Sequence, residues 1–205
     1  MTTDQTPTTI VFDIGGVLLD WDPRHLYRKL FDDEAEMEWF LAEICSPEWN
    51  ERMDAGLSFA EGVDELVAKH PEHAGFVRAY HERWIEMVPG AIDGTVEILG
   101  EVRDRGHPVY AITNFNAETL AVASEVYPFL KAFDGVIVSS EIRLIKPDPA
   151  IFQAFFQTYD RHPGDCAFID DRAVNVEAAK EVGMVGIHFS NPQQLRRDLA
   201  DLKLL

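Results

Sequence analysis

Polar side chains able to do chemistry stand where short apolar runs stop. The run Thr8–Phe12 gives way to Asp13, and Gly15 and Gly16 follow it. The run over 108–113 ends in Thr113, with Asn114 next. The run over 135–139 leads into "EIRLIKPDP", which carries Lys146 into a loop. The run over 166–170 ends in Asp170, with Asp171 behind it. A lone carboxylate can act as a nucleophile. A hydroxyl beside an amide can hold an anion, an ammonium can neutralise one, and paired carboxylates offer the hard oxygen ligands that Mg²⁺ takes. Each feature alone has an ordinary structural explanation. In this order, at the ends of apolar runs, they point to one site.

The runs "TTIVFD", "PVYAIT", "GVIVS", "CAFID" and "VGIHF" predict buried strands. Helical patterns separate the later ones. Residues 93–106 place Val96, Leu99 and Val102 on one face, and a second pattern covers 117–127. A third, over 149–159, opens on Pro149, and a fourth, over 173–183, closes on Gly183. This alternation predicts an α/β fold, a doubly wound parallel sheet with helices on both faces. Such sheets bind ligands beyond the carboxyl ends of their strands, near the point where strand order reverses.

Residues 22–88 contain no strand-like run. Helices are predicted over 23–31, 34–45, 58–70 and 73–88. An all-helical insert over 21–88 thus interrupts an α/β core made of 1–20 and 89–205, with Pro89–Gly90 marking the return. Trp39, Trp49, Phe59, Phe76, Tyr80 and Trp84 are expected to form the core of a small bundle there.

The chain has 205 residues, 46% of them hydrophobic, which suits one domain or a core with a smaller insert. Acidic residues outnumber basic ones by 36 to 18, for a net charge of −18. No basic footprint for nucleic acid is present. No apolar run approaches the roughly 20 residues that span a bilayer. No secretion signal is visible at the N-terminus, so a cytoplasmic location is expected. Cys45 and Cys166 lie far apart and read as reduced, buried thiols. An anionic substrate on so acidic a chain needs local positive charge from a metal, a placed lysine or helix N-termini. A monomer and a homodimer are equally compatible with the aromatic-rich insert.

The segments "VFDIGGVL", "AITN", "KPDPAIF" and "FIDDRAVNVEAA" carry a resemblance. Over residues 8–190 the chain resembles the haloacid dehalogenase-like hydrolase superfamily, in the branch with a helical cap after the first strand. The resemblance implies a Rossmann-like core and an Asp13 nucleophile that attacks phosphorus. Thr113 Oγ and the Asn114 backbone N–H would hold the phosphoryl group, and Lys146 would neutralise charge on it and on Asp13. Asp170 and Asp171 would hold Mg²⁺ together with Asp13 and the Gly15 carbonyl. Ile14, Gly15, Gly16 and Asn175 would lie at the substrate, the glycines letting backbone N–H groups approach an anion. Asn175, one helical turn past Asp171, either orients that pair or faces solvent.

One position departs from the pattern. Phosphatases of the superfamily usually carry Asp-x-Asp in the first motif, the second Asp acting as general acid and base; here that position is Gly15. Losing such a group typically lowers rate roughly 10²- to 10⁴-fold. Three readings follow. The first is a phosphatase for a small phosphorylated metabolite whose leaving group needs little protonation, a sugar 1-phosphate or an acyl phosphate. Asp20 or Asp22 could stand in for the acid, although Asp22–Pro23 fits a helix cap. The second is a metal-independent 2-haloacid dehalogenase, in which Arg24 or Arg52 would bind the substrate carboxylate. Against it, Asp170 and Asp171 would repel an anion and raise the proton affinity of Asp13. The third is a phosphate-binding protein without catalysis. The insert is expected to open and close over the site, with Trp21, Trp49 and Arg52 as residues that face it or simply pack.

Overall fold

The computed structural model describes residues 6–205. The chain runs from β1 (Thr9–Phe12) through α1 (Arg24–Tyr27), α2 (Glu34–Glu43), α3 (Pro47–Asp54), α4 (Phe59–Lys69) and α5 (Ala74–Glu82). It continues through α6 (Asp93–Asp104), β2 (Val109–Thr113), α7 (Ala117–Val126), β3 (Gly135–Val138), α8 (Ser139–Ile142) and α9 (Pro149–Tyr159). It ends with β4 (Cys166–Asp170), α10 (Ala173–Glu181), β5 (Val185–His188) and α11 (Pro192–Asp201). Short 3₁₀ turns cover Pro71–His73, Trp84–Met87, Pro128–Ala132 and Pro163–Asp165.

All strand pairs are parallel, in the order β3-β2-β1-β4-β5. The chain leaves β1 in one direction to lay down β2 and β3, then crosses back to lay down β4 and β5. Strand order therefore reverses between β1 and β4, where the carboxyl ends leave a crevice. Alternating side chains explain the two layers. Ile10 and Phe12 point to one face, with α6 and α11 through Ile98, Leu99, Val102, Leu195 and Leu199. Val11 points to the other, where α9 and α10 supply Ile151, Phe152, Phe155, Ala178 and Ala179. Both faces are covered, which is why the strands read as unbroken apolar runs.

Between β1 and α6 the described residues form helices and turns without a strand. Their shared core includes Tyr27, Phe40, Trp49, Phe59, Tyr80 and Trp84. Trp39 does not join it: the indole is 46% exposed and lies beside His73 with ring centroids 5.6 Å apart. The stretch 23–31 yields only the four residues of α1, and 73–88 breaks at Arg83 into α5 and a 3₁₀ turn. Helices α3, α8 and α11 lie outside the segments that the sequence marked. Ser46 and Ser58 cap α3 and α4 by accepting the Trp49 and Glu61 backbone N–H groups. No helix among the described residues is long and apolar enough to cross a membrane.

Candidate active site

Asp13 follows β1 directly, at the crevice. Its backbone N–H donates to the Ile169 carbonyl on β4 at 2.8 Å, which fixes it against the neighbouring strand. Its Oδ1 accepts the Ile14 N–H at 2.7 Å and the Lys146 ammonium at 2.9 Å. Burial pushes the Asp13 carboxyl up to about 7; Lys146 pulls it down and Asp170 adds to the rise.

Lys146 arrives from the loop after α8 and is fully buried. Its Nζ reaches Asp170 Oδ2 at 2.7 Å and the Ile112 carbonyl at 3.0 Å. Burial works against its charge, but the Asp13 and Asp170 carboxylates outweigh that and hold the ammonium above its ordinary range. Asn114 sets the lysine's backbone. Its Nδ2 donates to the Lys146 carbonyl at 3.0 Å and its Oδ1 accepts the Lys146 N–H at 2.8 Å.

Asp170 ends β4 and is buried with Asn175, whose Nδ2 lies 3.0 Å from each Asp170 oxygen. Asn175 is thus a buried residue on α10 that orients Asp170. Asp171 turns into the open crevice; burial first, then the Asp170 charge, raises its carboxyl. Ligand oxygens of Asp13, Asp170 and Asp171 all lie within 4.8 Å of one another. A set of converging, hard carboxylate oxygens is the donor chemistry that Mg²⁺ takes. Thr113 ends β2 beneath the cavity wall and does not line the cavity; its Oγ1 is buried without a hydrogen-bond partner among the described residues, an orphan that an incoming oxygen would satisfy.

The two glycines differ. Gly16 has φ +71, and a Cβ there would fall 2.5 Å from Asp171 Oδ2. Its N–H donates to the Leu19 carbonyl at 2.9 Å, so it closes the turn and is not free for an anion. At Gly15 a Cβ would meet nothing within 4 Å. The Ile14 side chain is buried in the cluster beneath the helical insert, and its N–H is taken by Asp13. It stands outside the cavity wall, unlike the glycines after it.

A cavity of about 750 Å³ opens from this cluster towards the insert, where Trp21, Arg24, Glu38 and Asp54 join its wall. Arg24 is clasped by Glu38 at 2.6 and 2.7 Å. Asp22 accepts the Arg24 N–H at 2.9 Å in an Asx turn that leads into α1, whose N-cap position is Pro23, and Asp20 lies against His25 at 3.3 Å. Trp49 packs inside the insert with its Nε1 on the Gly62 carbonyl, and Arg52 pairs with Glu65 on the surface. Asp54 escaped the sequence reading. It ends α3, a helix whose thin apolar stripe leaves no signal in the sequence, and only the cavity it shares with Asp13 marks it.

Residues 7–183 match the haloacid dehalogenase-like hydrolases. The chain belongs to that family. Its hydrolase relatives differ in their reactions. The sesquiterpene phosphatase of Aspergillus oryzae is 27% identical over 88% of this chain and 89% of its own length. Flavin mononucleotide hydrolase 1 of Arabidopsis thaliana is 46% identical over 54% of this chain and 45% of its own. An (S)-2-haloacid dehalogenase from a Pseudomonas species is 30% identical over 51% of this chain and 44% of its own. Among solved structures, a haloacid dehalogenase family enzyme of Bacteroides thetaiotaomicron, in a magnesium complex, superposes with a TM-score of 0.74 at 20% identity, covering 91% of this chain and 95% of that one. That likeness confirms the fold.

Proposed function

We propose that this hydrolase is a Mg²⁺-dependent phosphatase of a small phosphorylated metabolite, a sugar phosphate or an acyl phosphate favoured. The observation that carries the reading is the convergence of Asp13, Asp170 and Asp171 oxygens within 4.8 Å. Lys146 supplies one positive charge to these three acids, which leaves the cluster short of cation. Mg²⁺ held by the three carboxylates, with the Gly15 carbonyl, would supply positive charge to a phosphoryl group.

Asp13 attacks phosphorus through the oxygen not bound by Lys146 as the bond from phosphorus to the leaving oxygen breaks, giving an aspartyl phosphate and the free alcohol or acid; water then breaks the Asp13–phosphorus bond and releases inorganic phosphate. Lys146 spreads its charge over Asp13 and the transferring oxygens. Thr113 Oγ1 donates to one of those oxygens, and the Asn114 backbone N–H meets another. Asn175 holds Asp170 in place. Residues 21–88 act as a cap over residues 1–20 and 89–205, excluding water and choosing the substrate. The Aspergillus and Arabidopsis relatives support the phosphatase reading.

A dehalogenase using the same Asp13 is the runner-up. Without a metal, Asp170 and Asp171 would repel a haloacid and hold Asp13 protonated, so the donor set favours the phosphatase. The deciding assay is phosphate release from sugar, acyl and aryl phosphates with Mg²⁺ and with EDTA, beside halide release from 2-chloropropionate. Metal-dependent phosphate release is expected. Halide release that survives EDTA, with no phosphate release, would overturn the assignment. Binding of Mg²⁺ and phosphate without turnover would instead favour a non-catalytic protein.

A further inference from the structure

Gly15 leaves the crevice wall empty where a second first-motif carboxylate would stand. Asp20 and Asp22, the nearby acids, are engaged with His25 and Arg24. The facing wall comes from the insert. Asp54, the last residue of α3, lines the main cavity together with Asp13 and Gly15. It also lines a side chamber of about 70 Å³ whose walls include Gly15 and Asn114.

Asp54 differs from the other acids of that wall. Glu48 and Glu51 are exposed, and Glu38 is clasped by Arg24, whereas Asp54 is half-buried. It sits at the carboxyl end of its helix, where unsatisfied carbonyls favour a protonated neighbour. Burial and the Glu51 charge push its carboxyl up to about 7 against the pull of Lys146. The Tyr80 phenol on α5 feels the Asp54 charge, and Asp13, Glu48, Asp171 and Arg172 share its cavity. The position is held firmly. Asn50 Nδ2 donates to Asp54 Oδ2 at 3.0 Å, which leaves the proton to Oδ1. The Asp54 carbonyl accepts from Ser139 Oγ at 2.6 Å, and the Met53 carbonyl accepts from Asn116 Nδ2 at 3.1 Å, so sheet-side residues fix the end of α3.

We propose that Asp54 is the general acid and base that position 15 lacks, supplied from the insert across the cavity. The inference rests on the phosphatase reading. As the Asp13–phosphorus bond forms and the bond from phosphorus to the leaving oxygen breaks, Asp54 gives its proton to that oxygen and the alcohol departs. The Asp54 carboxylate then takes a proton from water as the water oxygen bonds to phosphorus and the Asp13–phosphorus bond breaks. Inorganic phosphate leaves, and both aspartates are restored.

The test compares wild type with Asp54→Asn, each with Mg²⁺, on glycerol phosphate and on nitrophenyl phosphate. An alkoxide needs a proton to leave; nitrophenolate does not. In the variant, kcat/KM on glycerol phosphate should fall roughly 10²- to 10⁴-fold, while on nitrophenyl phosphate it stays within about threefold. Nitrophenol should appear in a burst matching the enzyme concentration, because hydrolysis of the aspartyl phosphate has lost its base. The alkaline fall in the wild-type glycerol phosphate rate should vanish. Recovery of that rate in Asp54→Asn/Gly15→Asp would support the assignment, since Gly15 has room for the side chain. Equal losses on both esters, or no loss on glycerol phosphate, would overturn it. A wild type that releases phosphate from neither ester, nor from the sugar and acyl phosphates, would overturn the phosphatase reading, and this inference with it.

Discussion

The Lys146 ammonium lies 2.7 Å from Asp170 Oδ2, and neither side chain has any exposure to solvent. The same nitrogen is 2.9 Å from Asp13 Oδ1, so one buried cation serves two carboxylates. Replacing it with the similarly shaped Lys146→Met leaves those charges unpaired in a low-dielectric site. The expected loss is about 3–5 kcal/mol, read as a lower urea midpoint near neutral pH. An unchanged midpoint would contradict the ion-pair arrangement.

Gly15 and Gly16 should respond in opposite ways to an added methyl. Gly16→Ala combines a positive φ with a Cβ placed against the Asp171 carboxylate. It should lose about 1–3 kcal/mol of stability and displace Asp171. Gly15→Ala meets open space and should stay within about 0.5 kcal/mol of wild type. Thermal denaturation of the two variants side by side checks the contrast.

Mg²⁺ should stabilise the protein in the absence of substrate. At a concentration about a hundredfold above Kd, the gain is about 2.7 kcal/mol, reversed by EDTA. Asp171→Asn removes one of the converging oxygens and should abolish most of the shift. A variant that keeps the full Mg²⁺-dependent rise in Tm would remove Asp171 from the ligand set.

The Asp54 carboxyl predicts a stability change with pH. Its ordinary value of 3.8 rises to about 7 in the fold. Between those values the folded protein holds a proton that the unfolded chain has released, so this group's contribution falls as pH rises through the window and is flat above it. Asp54→Asn cannot lose that contribution. Its Tm relative to wild type should therefore be higher at about pH 8 than at about pH 5; a difference independent of pH would count against a raised Asp54.

The sheet was legible because buried parallel strands write themselves as apolar runs, and the residues at their ends follow from that placement. "TIVF", "VYAIT", "GVIV", "CAFID" and "VGIH" occupy the strands they predict. The insert was less legible. Helix α3 reads "PEWNERMD", a polar octapeptide that buries only Trp49 and Met53, so its apolar stripe is too thin to register. Trp39 is as aromatic as Trp49, but its helix turns it outward against His73. Asp54 was invisible for a different reason. Its meaning depends on a cavity shared with Asp13 and Lys146, and nothing local to α3 encodes that meeting.

Ser139 and Asn116 donate side-chain hydrogen bonds to the carbonyls of Asp54, Met53 and Leu57. Mechanically, the end of α3 therefore travels with the sheet and not with the rest of the insert. A lid swinging as one piece would rupture all three bonds at its base. The Arg24–Glu38 clasp differs: it joins α1 to α2 within the insert, as an ion pair accessible to solvent. On the proposed function, parting of that clasp would widen the cavity wall at Arg24 and Glu38 while Asp54 keeps its place.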